Sequence, residues 1–231
     1  MKRIGLIGGI SWISTIDYYR FINEDVHSRL GGLNYADHLS IYSINFGDIQ
    51  DRGWEHSYDR LLEAGDSLKK GGADALVFCA NTAHMFALQI QNSLHLPVIH
   101  IIEETAKAIQ KKGLKKLGLL GTIYTMEKDF YRDKLSEYGL EILIPENQAT
   151  RNYIQYTLKE ELSTGIILQE TRLQYISIIQ DLMNRGAEGI ILGCTEIPLI
   201  INQSDFDFPV FDTTEIHCKS IVDFMLSNKN A

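Results

Sequence analysis

Lys2-Arg3-Ile4-Gly5-Leu6-Ile7-Gly8-Gly9 opens the chain, and Lys115-Lys116-Leu117-Gly118-Leu119-Leu120-Gly121-Thr122 repeats its pattern, 113 positions on when counted from Gly5 to Gly118. A second pair follows in the same order. Gly72-Ala73-Asp74-Ala75-Leu76-Val77-Phe78-Cys79 matches Gly186-Ala187-Glu188-Gly189-Ile190-Ile191-Leu192-Gly193-Cys194, with 115 positions between the cysteines. A third couples Leu96-Pro97-Val98-Ile99 to Phe208-Pro209-Val210-Phe211 at an offset of 112. Three matches in one order, spaced at nearly half of a 231-residue chain, predict two equivalent lobes.

Each half reads as strands alternating with helices, an α/β class with a parallel sheet in each lobe. The apolar runs at 4–7, 39–46, 75–79 and 98–101 are short and rich in Ile, Val and Leu, as strands buried on both faces are. The second half repeats them at 117–120, 141–144, 189–194 and 210–212. Four strands per lobe are therefore expected. Residues 13–30 read as a helix with Ser11 as N-cap, Gly31 as stop, and Ile13, Ile16, Tyr19, Ile22, Val26 and Leu30 as its apolar face. Further helices are expected at 126–138, 151–162, 169–185 and 214–226. No low-complexity linker separates the halves, so the expectation is close packing with the ligand site between them.

Composition narrows the function classes. With 22 Lys and Arg against 30 Asp and Glu the net charge is −8, and no basic run exceeds two residues, which argues against nucleic-acid binding. The hydrophobic share of 45% is that of a folded domain. The basic start and apolar stretch at 1–10 mimic a signal peptide. Three glycines interrupt that stretch and Asp17, Arg20 and Glu24 follow at helical spacing, so the reading is a strand and helix. No apolar run approaches the length of a membrane span. Three widely spaced cysteines make no disulfide framework, and a reducing, cytoplasmic location is expected.

In open parallel sheets, ligands gather at the carboxyl ends of strands, where the next helix begins. Cys79 and Cys194 both fall there. Asn81 or Thr82 can cap a helix after the first, and Thr195-Glu196-Ile197-Pro198 begins another after the second. A helix N-terminus lowers a nearby thiol pKa from about 8.5 and attracts anions. Taken singly, a cysteine at a strand end reads equally well as a small buried hydrophobe. Two at equivalent repeat positions, each followed by hydroxyl-bearing residues, point to chemistry. One thiolate on each side of a Cα suits proton transfer with inversion. Cys218 has no repeat partner and reads as core.

At these residues the sequence resembles the cofactor-independent aspartate/glutamate racemases, along essentially the whole chain. The resemblance rests on Gly8-Gly9-Ile10-Ser11-Trp12, on Cys79 with Asn81-Thr82-Ala83-His84, on Gly121-Thr122 with Tyr124-Thr125-Met126, and on Gly193-Cys194-Thr195-Glu196-Ile197-Pro198. It implies two four-stranded parallel α/β lobes, one catalytic cysteine from each, and neither pyridoxal phosphate nor metal. It also implies that the final helix returns to the first lobe, giving 1–101 with 213–231 as one domain and 102–212 as the other. By the same resemblance Asn81, Thr82, Thr122 and Thr195 would hold the substrate carboxylate, while Ser11, Gln50 and Arg52 would face its side chain. A homodimer is the expected assembly and a small amino acid the expected partner, with no nucleic acid or membrane. Aspartate-specific members carry lysine just before the glycine matching Gly165; here Ser163 and Thr164 stand there. The segment 122–131 is closer to members of broad or glutamate-leaning specificity.

Other signals are weaker. The glycines at 5, 8 and 9 lack the spacing of a dinucleotide-binding loop and read as tight packing. His84, His100 and His217 are far apart in sequence, and His84 lies five residues from Cys79 on a turn where the two need not meet. The reading is thus an amino-acid racemase acting on aspartate or glutamate through Cys79 and Cys194. The alternatives are a two-cysteine isomerase or decarboxylase of a dicarboxylic acid, and a non-catalytic amino-acid-binding module.

Overall fold

A computed structural model describes residues 1–227 of the chain. The described residues divide into two compact units, one of residues 1–100 with 217–227 and one of residues 101–216. In the first unit, strands β1 (Ile4–Gly8), β2 (Leu39–Ser43) and β3 (Ala75–Phe78) form a parallel sheet in the order β2-β1-β3. Helices α1 (Trp12–Leu30), α2 (Phe46–Arg52), α3 (Tyr58–Lys70) and α4 (Ala87–Leu94) connect and flank them. The second unit carries β4 (Lys116–Gly121), β5 (Glu141–Leu143), β6 (Ile190–Gly193) and β7 (Val210–Asp212), parallel and in the order β5-β4-β6-β7. Its helices are α5 (Ile101–Lys111), α6 (Ile123–Glu127), α7 (Asp129–Ser136), α8 (Gln148–Glu160) and α9 (Gln169–Asn184). The last helix, α10 (Thr213–Leu226), starts in the second unit, and its residues Cys218, Ile221, Val222 and Met225 complete the core of the first.

The repeat is visible bond by bond. Gly72 and Gly186 take φ of 88° and 93°, which side chains disfavour, and turn the chain into β3 and β6. Their N–H groups donate to Lys69 O and Met183 O, both at 2.9 Å. The next residue reaches back to Leu68 O in one unit and Leu182 O in the other, both at 3.1 Å. Cβ atoms on Gly8 or Gly121 would approach Thr15 Cγ2 to 2.5 Å and Thr125 Cγ2 to 2.9 Å. Close strand-to-helix packing thus accounts for these glycines without a phosphate.

The first sheet has three strands instead of the expected four. Residues 98–101 supply a single bridge, Leu76 to Val98, before α5 begins at Ile101. The same entry bond occurs in both units, Leu76 N to Pro97 O at 2.8 Å and Ile190 N to Pro209 O at 3.0 Å. Only after Pro209 does the chain stay extended long enough to build β7. The expected helix over 126–138 is two helices, because Lys128 turns to ψ 146° between α6 and α7.

Helix α1 has the expected caps. The Ser11 hydroxyl accepts from Ser14 N and Gly31 ends the helix at φ 69°. Its buried face differs. Ser14, Thr15, Tyr18, Ile22 and Val26 point inward, while Ile16, Tyr19 and Leu30 are 54%, 53% and 46% exposed. The cause is polar: Thr15 Oγ1 accepts from Gly9 N at 3.0 Å and donates to Ser11 O at 2.8 Å, and Tyr18 bonds His217. These bonds rotate the helix by about one position from the face that apolar spacing alone selects.

Candidate active site

In the first unit, Cys79 follows β3 directly. Phe78 pairs with Ile7 of β1, and Cys79 N–H donates to Ile7 O at 3.0 Å, so the thiol stands at the carboxyl end of β3, beside the end of the central strand β1. It is fully buried in the cluster of Ile4, Leu6, Tyr18, Val77 and Cys218. Burial pushes its pKa up from the ordinary thiol value, because an apolar surrounding penalises the thiolate. This corrects the expectation of a helix N-terminus lowering it. Residues Thr82–Phe86 form a short 3₁₀ helix, and Asn81 makes no side-chain cap to it. Asn81 and Thr82 are both buried beside the thiol in sequence, and Ser11 caps α1 after β1. Gln50 and Arg52 lie exposed on α2, where Arg52 lines a depression of about 580 Å³ with Glu55, His56, Tyr58 and Asp59.

Three histidines far apart in sequence gather in this unit. The His84 ring lies 4.9 Å from that of His100 and 5.5 Å from that of His217, between centroids. His84 Nδ1–H donates to Ala80 O at 3.0 Å, leaving Nε2 as the acceptor, buried and unpartnered. His217 Nε2–H donates to Ile99 O and its Nδ1 accepts from Tyr18 Oη, both at 2.8 Å. Burial lowers the pKa of both His84 and His217 to about 3, so both rings are neutral. They hold the turn after Cys79 to α1, to α10 and to the segment before α5. Sequence spacing gave no sign of this, since nothing local joins Tyr18, His84 and His217.

In the second unit, Thr122 and Cys194 follow Gly121 and Gly193, which are paired between β4 and β6. The Thr122 hydroxyl caps α6 by accepting from Thr125 N at 3.2 Å. Cys194 is partly buried. Its Sγ–H donates to Glu196 Oε2 at 2.9 Å, and the Thr195 hydroxyl donates to the same oxygen at 2.9 Å. Burial raises the Cys194 pKa well above the ordinary value, and the Glu196 charge and hydrogen bond raise it further. The turn after it is again a 3₁₀ helix, Ile197–Leu199, without a side-chain cap. Glu196 was legible only as an acid in a helix's first turn; a lone carboxylate two residues beyond the cysteine, in an otherwise apolar stretch, was the available signal. None of the three cysteines is in a disulfide.

Each unit therefore presents a thiol at the carboxyl end of a parallel strand, followed by buried Asn81 and Thr82 in the first and by Thr195 and buried Glu196 in the second. Both thiols are held neutral, the protonation state of a proton donor. This pairing of strand-end thiols on a repeated α/β unit defines a class of enzyme. The chain belongs to the Asp/Glu/Hydantoin racemase family, whose pattern matches residues 7–221. It is 26% identical over 229 residues to a broad specificity amino-acid racemase of Bacillus subtilis, covering 97% of this chain and 98% of the relative. It is 44% identical to a candidate Asp/Glu racemase of known structure from Yersinia pestis, with a TM-score of 0.90 over 98% of this chain and 100% of that one. An aspartate racemase homologue from Pyrococcus horikoshii is 36% identical, with a TM-score of 0.83 over 97% and 99% of the two chains. Among the described residues no helix is long and apolar enough to cross a membrane.

Proposed function

We propose that this chain is an amino-acid racemase that interconverts the L and D forms of aspartate or glutamate, with room for a broader range, using Cys79 and Cys194 as the two proton-transfer groups and no cofactor. The observation that carries the reading is their equivalence: each follows the strand residue paired to the end of the central strand, Phe78 with Ile7 and Gly193 with Gly121. One thiol takes the Cα proton while the other delivers a proton to the opposite face, and the roles exchange in reverse. Asn81, Thr82, Thr122 and Thr195 are assigned to the substrate carboxylate, and Ser11, Gln50 and Arg52 to its side chain. The racemase names of the relatives support the reaction, and the broad specificity of the Bacillus relative supports a permissive side-chain site.

The proposal includes a homodimer in the cytoplasm. Trp12, Ile16 and Tyr19 form one exposed apolar stripe on α1, with Trp12 at 65%, and such a stripe suits a second copy of the chain. Light scattering of the purified protein checks the assembly. The reaction is checked by circular dichroism on enantiopure aspartate, glutamate and neutral amino acids. Loss of optical activity places the chain among racemases. Turnover of a dicarboxylic acid without racemisation selects the isomerase or decarboxylase reading, and binding without turnover selects the binding module.

A further inference from the structure

The repeat does not call for histidine five residues past a strand-end cysteine. In the second unit that position is Leu199, 37% exposed, and the turn is a 3₁₀ helix all the same. In the first it is His84, 3% exposed, its ring nearly perpendicular to that of Phe78 at 5.3 Å and packed against those of His100 and His217. A carbonyl can only accept, so the bond to Ala80 O at 3.0 Å requires the hydrogen on Nδ1 and leaves Nε2 a buried acceptor without a partner. Such an orphan weighs against folding, and a phenylalanine ring would fill the same space without it. What the histidine supplies and an apolar ring cannot is the Nδ1–H donor.

Resting on the racemase reading above, we propose that His84 is a positioning residue for the substrate carboxylate: it fixes the backbone of Asn81 and Thr82, the two residues of this unit assigned to that group. His84 holds both peptides that flank Asn81. Its Nδ1–H takes Ala80 O, and its backbone N–H takes Asn81 O at 3.1 Å. In a planar trans peptide the C=O and the following N–H point opposite ways, so fixing the two carbonyls towards His84 turns the amide sides of Asn81 and Thr82 away from it. With Asn81 at φ −60° and ψ −48° the two peptides run nearly parallel, so both present the same direction to one anion. The thiol is anchored elsewhere, since Cys79 N–H donates to Ile7 O of β1 at 3.0 Å. Loss of the His84 donor therefore disturbs the hold on the carboxylate and leaves the sulfur in place.

The test exchanges the ring and the donor separately. His84→Phe keeps a ring and loses the donor, so KM should rise at least about fivefold for every amino acid turned over, because all share the carboxylate, with kcat within about threefold. Its Tm should stay close to that of wild type. His84→Asn loses the ring but carries Nδ2 where Nδ1 stood, on the atom next to Cβ, and should bring KM back to within about threefold of wild type at a lower Tm. KM thus follows the donor and Tm follows the ring. A KM for His84→Phe raised less than about fivefold overturns the proposal, as does an Asn variant that binds no better than Phe. If the Phe variant does not fold, His84→Gln, whose amide stands where Nε2 stood, takes its place under the same outcomes. A wild type that binds amino acids without turnover fails the racemase reading, and Kd by calorimetry on the same variants then decides the role of His84. Racemisation surviving in Cys79→Ser refutes the two-thiol reading, whereas a KM indifferent to the donor refutes only the role of His84.

Discussion

Asp74 and Glu188 do the same work in the two units, at the entrance to the strand that ends in a cysteine. Asp74 Oδ2 accepts from Arg3 N at 2.7 Å, and Asp74 N donates to Arg3 O at 2.8 Å. Glu188 Oε2 accepts from Lys115 N and Lys116 N at 2.6 and 2.8 Å, and Glu188 N donates to Lys116 O at 2.8 Å. An acidic side chain thereby clamps the first amides of each central strand and sets the register of its neighbour. That register carries Cys79 and Cys194 to the same place at the far ends. The backbone bonds draw the Glu188 pKa below the usual carboxylate value.

Removing the clamp should cost stability before it costs chemistry. Asp74→Ala loses the hydrogen bond from Arg3 N to a charged group, a loss of about 1–3 kcal/mol for a partly exposed residue. Thermal unfolding should show a lower Tm with KM for the amino acid unchanged. An unchanged Tm contradicts the clamp.

Glycine replacement probes the packing at the strand ends. In Gly8→Ala the new Cβ meets Thr15 Cγ2 at 2.5 Å, and Thr15 cannot move without breaking its bonds to Gly9 N and Ser11 O. Overpacking of this kind costs about 1–3 kcal/mol. Urea unfolding measures it, and Gly8→Ala as stable as wild type would mean that Thr15 is free to yield.

The two neutral histidines make stability depend on pH. Their folded pKa, about 3, lies below the unfolded value of 6.5, so the unfolded chain binds protons that the folded one refuses. The stability they allow is fully present above 6.5 and is lost as pH falls towards 3. Each group contributes a slope of at most about 1.4 kcal/mol per pH unit in that window. Unfolding free energy measured between pH 6.5 and 5 should therefore decline, and His217→Gln should decline less steeply. A flat profile in the wild type contradicts the buried neutral rings.

Much of this architecture was legible in the sequence, because backbone-level devices repeat at a fixed offset. The glycine turns at 72 and 186, the acidic clamps and the strand-end cysteines all follow from the matched segments. What stayed hidden depends on side chains that meet from distant places. The buried face of α1 was misassigned because Thr15 and Tyr18 are held by hydrogen bonds that apolar periodicity does not register. The fourth strand of the first sheet fell short because α5 begins only three residues after Val98. Asn81 looked like a cap, yet the turn that follows is a 3₁₀ helix that its side chain does not cap, and Thr82 is the first residue of that helix. Glu196 looked like a helix-start acid and instead bonds the thiol.

Side-chain preference should change with Arg52. It is exposed on α2, so Arg52→Gln should shift Tm by no more than the equivalent of about 0.5 kcal/mol. Its kcat/KM should fall more for aspartate and glutamate than for neutral amino acids. Equal losses on every substrate would assign Arg52 a role common to all of them.

Cysteine replacement separates chemistry from core. Cys79→Ser and Cys194→Ser should each lose a factor of about 100 to 10,000 in racemisation. Cys218, buried with Cys79 in one cluster, should tolerate Cys218→Ala with kcat unchanged. Racemisation surviving in either of the first two variants contradicts the assignment.

The central claim is that two separate groups handle the proton. In deuterated water, a thiol that has taken the substrate's Cα hydrogen cannot return it to the opposite face, and the other thiol, already exchanged with solvent, supplies the new one. Mass spectrometry of both enantiomers at low conversion reads the outcome directly. Inverted product should carry deuterium from the first turnover while remaining substrate stays largely unlabelled. Product that retains the substrate's own hydrogen would contradict the roles of Cys79 and Cys194.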